Sequence, residues 1–180
     1  MDTLDWLARN SEFLSTDSIS NCLKEFKELY TSNSPKQRNM YITSRNQSVA
    51  VINVLQQIEH TTKLEPSDDT DYKISLLYSI LEPLLINNYN LEKAVDMDII
   101  EIIMASLRQS LHDLEQNNDP AIRSLIYQKY ILRCLTSAMR NQRIVLTFLN
   151  DPENMESLLE LIRIVRDEEI LCKFQILYYQ

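Results

Sequence analysis

The sequence predicts an all-α domain, and three observations lead to this fold class. Apolar residues recur at spacings of three and four almost throughout the 180 residues, whereas the strict alternation of a strand is hard to find. Ser34, Asp119 and Asp151 each directly precede a proline, a pairing typical of helix starts. The chain contains no glycine. We therefore expect seven to nine helices joined by short loops, in a single domain spanning 1–180.

The lack of glycine excludes several classes of function. Average usage of about 7% would give about 13 glycines in a chain of this length. Phosphate-binding loops, dinucleotide-binding turns and nucleophile elbows need glycine where the backbone takes a positive φ or closely approaches a ligand. The apolar fraction of 44% and the charged fraction of 24% are those of a globular protein.

Three helices are predicted before residue 61. The first covers about 2–13 and the second about 17–30, while the third follows Ser34 and ends near His60. Residues 61–71, with the sequence TTKLEPSDDTD, combine a proline with three aspartates and lack apolar periodicity. We expect this segment to be an exposed acidic loop within the domain.

Two central helices follow this loop. The fourth helix covers about 70–88 and should bend at Pro83, because proline removes one backbone hydrogen bond. The fifth begins at Asp96 or Asp98 and ends near Gln116. Its first half is apolar on nearly all sides, so we expect it at the centre of the core. The residues concerned are Ile99, Ile100, Ile102, Ile103, Met104 and Leu107.

The C-terminal part continues the helical pattern. The sixth helix covers about 120–139 and continues or restarts through 144–149, and the seventh covers about 152–165. Residues 168–179 are also helical in pattern, yet no capping residue follows them. This favours a fragment of a longer protein that ends inside a helical array.

Cysteine usage indicates a reducing compartment. Cys22, Cys134 and Cys172 are far apart and odd in number, and each lies in an apolar, helix-like segment. We expect three reduced core residues rather than a disulfide framework or a zinc site. Because the sequence also begins with acidic residues and contains no apolar run of about 18 residues, we predict a soluble cytoplasmic or nuclear protein.

No spacing of reactive residues predicts catalysis. His60 and His112 are the only histidines, and the residues three before them are Gln57 and Gln109, which excludes paired Glu-x-x-His motifs of a di-iron bundle. The aspartates of 61–71 lack the glycine of a calcium-binding loop. We therefore predict no enzyme activity, no metal, no cofactor and no small-molecule substrate.

Residues 111–139 carry a repeat-like pattern. Two apolar helices flank a short polar loop that continues into Asp119-Pro120, and Ile122-Arg123 follows. This segment resembles one repeat of the HEAT and armadillo families, in which a D-P-x-[VI]-R turn joins two antiparallel helices. The resemblance implies an irregular, right-handed α-α superhelix whose long surfaces bind proteins without catalysis. A compact helical bundle is the alternative architecture.

Charge is distributed unevenly along the chain. Residues 64–118 contain eleven acids and three bases, whereas 119–150 contain one acid and five bases. On a continuous helix, four of these cations would share one exposed face opposite Leu132, Leu135, Met139 and Leu146. We call this face the basic stripe, and with Arg123 its residues are the candidates for partner binding: Lys129, Arg133, Arg140 and Arg143.

The predicted function is a non-catalytic protein-protein interaction scaffold or adaptor in a multi-protein complex. The basic stripe would bind an acidic protein segment, since the net charge of -8 opposes generic binding to phosphate backbones. Two alternatives remain open. The chain could be an obligate helical subunit of a larger assembly, or a nucleic-acid-associated protein that uses the basic face.

Overall fold

The computed structural model describes residues 48–64, 67–116 and 122–164. These residues form seven helices and no strand, which confirms the predicted all-α class. The helices are α1 (Ser48–Thr62), α2 (Asp68–Leu84), α3 (Asn88–Val95), α4 (Ile99–Gln116), α5 (Ile122–Ala138), α6 (Gln142–Asn150) and α7 (Pro152–Ile164). The predicted helices at 2–13, 17–30 and 168–179 lie outside the described residues, as does the Asp119-Pro120 turn.

The acidic loop is shorter than predicted. Helix α1 extends to Thr62, and α2 begins at Asp68, so the three aspartates lie in the first turn of α2. The reason is a capping box: the side chain of Ser67 accepts a hydrogen bond from the Thr70 backbone N–H, and the Thr70 hydroxyl accepts one from the Ser67 backbone N–H. Acidic side chains are also favoured at a helix N-terminus.

A short helix, α3, was missed where the sequence predicted the end of α2. Helix α2 ends one residue after Pro83 instead of bending and continuing to 88. The Asn87 side chain then accepts hydrogen bonds from the backbone N–H groups of Tyr89 and Asn90 and caps α3. The buried Asn90 amide donates to the Leu84 carbonyl at 3.2 Å, which satisfies one of the free carbonyls at the end of α2.

The apolar segment of α4 is central, as predicted. All six of its apolar residues between 99 and 107 are buried. Asp98, directly before this helix, has φ 52° and is the only described residue with positive φ. In a chain without glycine, aspartate occupies this left-handed position because its short polar side chain tolerates it.

The predicted sixth helix is two helices. Helix α5 ends at Ala138, and the Asn141 side chain accepts from the Arg143 backbone N–H to start α6. Leu146, which a continuous helix would bury, is instead exposed on α6. Helix α7 begins as predicted, because Asp151 Oδ1 accepts from the Glu153 backbone N–H at 3.0 Å.

Helices at equivalent places in the order contact one another. Helix α2 packs against α5, while α4 packs against both α1 and α7. The short helix α3 lies on α1 and α4, and the short helix α6 lies on α4 and α7. Helices α2 and α5 both have 17 residues and start 54 residues apart, as do the starts of α3 and α6. Apolar side chains from all seven helices join one core.

Candidate functional site

The basic stripe does not lie on one helix. Because residues 139–141 form a turn, Lys129 and Arg133 belong to α5, Arg140 lies in the turn and Arg143 is in the first turn of α6. Arg123 is in the first turn of α5, and its side chain lies outside the described part of the structure. The helical-wheel argument that aligned the four cations therefore fails at the turn.

Arg133 lies against an acid of α2. Its Nη1 is 4.0 Å from Glu82 Oε2, and both side chains are about one-third exposed. The guanidinium carbon is also 5.6 Å from the ring centroid of Tyr130, within the range of a cation-π contact. The charge of Arg133 is thus compensated between α2 and α5.

Arg140 is a hydrogen-bond donor to the C-terminal end of α2. Its Nη2 donates to the carbonyl oxygens of Leu85, at 2.5 Å, and Ile86, at 3.2 Å. Its Nε donates to the Ser137 carbonyl at 3.1 Å. A cation that donates to terminal carbonyls also favourably opposes the negative end of the helix dipole. The position of Arg140 is therefore explained by a structural role.

Arg143 faces two acids of α3. Its Nη1 is 3.6 Å from Asp96 Oδ1 and 3.9 Å from Glu92 Oε2. The Asn141 side-chain amide donates to Glu92 as well, at 2.7 Å. The charge contrast in the sequence thus corresponds to contacts between neighbouring parts of the fold, and these contacts compensate most of the basic stripe.

An exposed apolar surface on α6 and α7, which sequence analysis missed, is a second candidate site. On α6, Leu146 and Leu149 are 54% and 61% exposed, and they lie opposite the buried Ile144 and Phe148. On α7, which packs against α6, Met155 is 39% and Leu159 is 45% exposed. We call these four residues the α6–α7 patch. The signal in the sequence was the apolar run around α6, which leaves that helix without a polar face.

A groove adjoins this patch. It has a volume of about 570 Å³ and lies between α4 and α7. Leu159 belongs to both the patch and the groove, so the two surfaces are continuous. The lining residues are Arg108, Leu111, His112, Glu156, Ser157, Leu159, Glu160 and Arg163.

The charged side chains of the groove differ in their partners. Arg108 Nη1 lies 3.9 Å from Glu153 Oε2 and donates to Asn154 Oδ1 at 3.3 Å. Arg163 donates to Glu160 at 3.1 Å. Glu156 is exposed, and within the described ranges it has no hydrogen bond or ion pair. One negative charge beside Leu159 is therefore uncompensated.

The reactive residues of the described chain do not form a catalytic or metal site. His60 is exposed in the last turn of α1, and His112 is exposed at the groove. Cys134 is buried and reduced, as predicted, and it donates to the Tyr78 carbonyl at 3.3 Å. Burial, followed by the nearby Glu82 carboxylate, raises the pKa of this thiol well above its ordinary value. No group of three possible metal ligands occurs in residues 48–64, 67–116 and 122–164.

Comparisons with protein-family models, curated proteins and solved structures found no match to this chain. None of the helices in the described residues is long and apolar enough to cross a membrane. The functional argument therefore depends on the surface itself: a neutralised basic stripe, and an exposed apolar patch beside an unpaired carboxylate.

Proposed function

We propose that this chain is a non-catalytic protein-interaction module that binds a protein partner through the α6–α7 patch. The observation that carries the proposal is the exposure of four large apolar side chains on two adjacent helices. Scattered single apolar residues are normal on a protein surface, whereas grouped ones mark interaction sites. The module would act as a scaffold or adaptor in a cytoplasmic or nuclear complex.

The architecture we propose is an irregular armadillo- or HEAT-like stack. Its support is the contact pattern, in which α1, α4 and α7 follow one another, α5 lies on α2, and two short helices recur 54 residues apart. Each unit of such a stack packs mainly on its neighbours, so its ends and long sides remain available to partners. A compact bundle that serves as an obligate subunit is the alternative architecture.

The nucleic-acid alternative receives less support. Arg133 and Arg143 face acids of this chain, and Arg140 donates to backbone carbonyls. Cations engaged in this way contribute less to the counterion release that governs binding to phosphate backbones. An acidic partner of the basic stripe would compete with the same internal contacts.

The test is recovery of partners from a cell extract, followed by mass spectrometry. The test variant carries Leu149→Ser and Leu159→Ser in the patch. The matched control carries Leu64→Ser and Tyr72→Ser, which are also exposed apolar residues but lie near the junction of α1 and α2. We expect the patch variant to lose proteins that the parent and the control recover. Recovery of the same proteins by all three would contradict the proposed function.

A further inference from the structure

The spacing of the patch on α7 fits a helical partner. Met155 and Leu159 are four residues apart and lie on the same side of the helix, and the half-buried Ile162 continues their row. A partner helix places its own apolar residues at the same spacing of three and four. Apolar rows of this kind are the anchors by which an amphipathic helix binds a helical surface.

The charges beside this row are predominantly negative. Asp151, Glu153, Glu156 and Glu160 lie on or next to α7, and Arg163 is the single cation of that helix. Arg143 on α6 faces the acids of α3 instead. Within α7, Glu153 is near Arg108 and Glu160 binds Arg163, but Glu156 has no such contact in the described residues.

Glu156 is also well placed relative to the apolar row. It is adjacent to Met155 in the chain and three residues before Leu159, so its side chain flanks the row on the side of the groove. A partner helix that covers Met155 and Leu159 would have one edge above this groove. A lysine or arginine on that edge would complement the unpaired carboxylate.

From this arrangement we propose that the α6–α7 patch binds a basic amphipathic helix of a partner protein. The apolar face of that helix packs on Met155 and Leu159, and a cation on its edge pairs with Glu156. The inference rests on the proposed function and specifies the chemistry of the partner. It reverses the sign of the partner expected for the basic stripe.

The experiment uses two helical peptides of about 14 residues, a length at which binding can stabilise the helix. Both have leucines along one face; one carries lysines on the other positions and the second carries glutamates. Fluorescence anisotropy measures the Kd of each for the full chain. We expect the leucine-lysine peptide to bind at least about tenfold more tightly, because only its charges complement Glu156 and its neighbours.

Two charge reversals separate the site from the net charge of the protein. Glu156→Lys alters the proposed contact, whereas Glu59→Lys makes the same change in net charge on the exposed face of α1. We expect Glu156→Lys to weaken binding of the leucine-lysine peptide about fivefold more than Glu59→Lys does, which is the scale of one exposed ion pair. Circular dichroism establishes that both variants are folded.

Three results would overturn the inference: no binding of the leucine-lysine peptide, equal affinity for both peptides, or equal weakening by the two reversals. These failures are distinguishable from failure of the proposed function. If Leu149→Ser with Leu159→Ser still abolishes recovery of a cellular partner, the patch is an interaction site and only the basic-helix chemistry is wrong.

Discussion

Arg140 Nη2 donates a hydrogen bond to the carbonyl oxygen of Leu85 across 2.5 Å, although the two residues are 55 positions apart. The contact joins the turn after α5 to the end of α2, two helices that also pack along their lengths. Sequence analysis treated Arg140 as one of several exposed charges available to a partner. In the fold it supplies donors to carbonyls that the end of α2 leaves free.

Removal of this donor should therefore reduce stability. We expect Arg140→Ala to lower the free energy of unfolding by about 1 to 2 kcal/mol, because charged hydrogen bonds to partly buried carbonyls are lost. Arg143→Ala is the control, since it removes an equal charge from exposed ion pairs and should cost at most about 1 kcal/mol. Urea unfolding measures both. Equal losses in the two variants would show that the carbonyl contacts contribute nothing specific.

The centre of α4 should be highly sensitive to truncation. Ile100 and Ile103 are buried, and replacing either with alanine should cost about 2 to 5 kcal/mol, because it removes apolar contacts and leaves a cavity. Leu146→Ala on the exposed face of α6 should change stability far less. Thermal denaturation followed by circular dichroism measures all three. Parent-like melting of both isoleucine variants would contradict the central position of α4.

The Cys134 thiol should be unreactive in the native protein. In a background with Cys22→Ser and Cys172→Ser, a thiol reagent should label Cys134 only as fast as the protein opens, because the thiol is buried and bound to the Tyr78 carbonyl. Rapid labelling of the folded protein without denaturant would contradict this burial.

The same thiol makes stability depend on pH. Its pKa is raised in the folded state, so the unfolded chain loses the proton first, at about pH 8.5. The stabilising contribution is complete below that pH and is lost as the pH rises towards the folded pKa. Relative to Cys134→Ala, the parent should lose about 1.4 kcal/mol of unfolding free energy per pH unit above pH 8.5. A constant difference between pH 7 and pH 10 would contradict this prediction.

The proposed stack also predicts the dimensions of the protein. A compact globule of 180 residues has a radius of gyration of roughly 16 Å, and an elongated stack of helices should clearly exceed that value. Small-angle X-ray scattering on a verified monomer measures it. A value near 16 Å would favour the compact bundle over the armadillo- or HEAT-like arrangement.

The sequence by itself determined the fold class and much of the helix pattern. The spacing of apolar residues predicted α4 and its central position, and Asp151 before Pro152 predicted the start of α7. These features depend on local physics, namely helical periodicity and a side chain that caps its own helix. The same reasoning correctly expected Cys134 to be a buried, reduced residue.

Tertiary structure decided the elements and charges that depend on distant residues. Helix α3 follows asparagines that read as a helix end, because the buried Asn90 gains the Leu84 carbonyl only when α2 and α3 are in place. The basic stripe looked available because no local pattern shows that Arg133 meets Glu82, or that Arg143 meets acids 47 to 51 residues earlier in the chain. The α6–α7 patch was missed for the same reason: periodicity shows which residues are apolar, but only packing decides which of two apolar faces becomes buried.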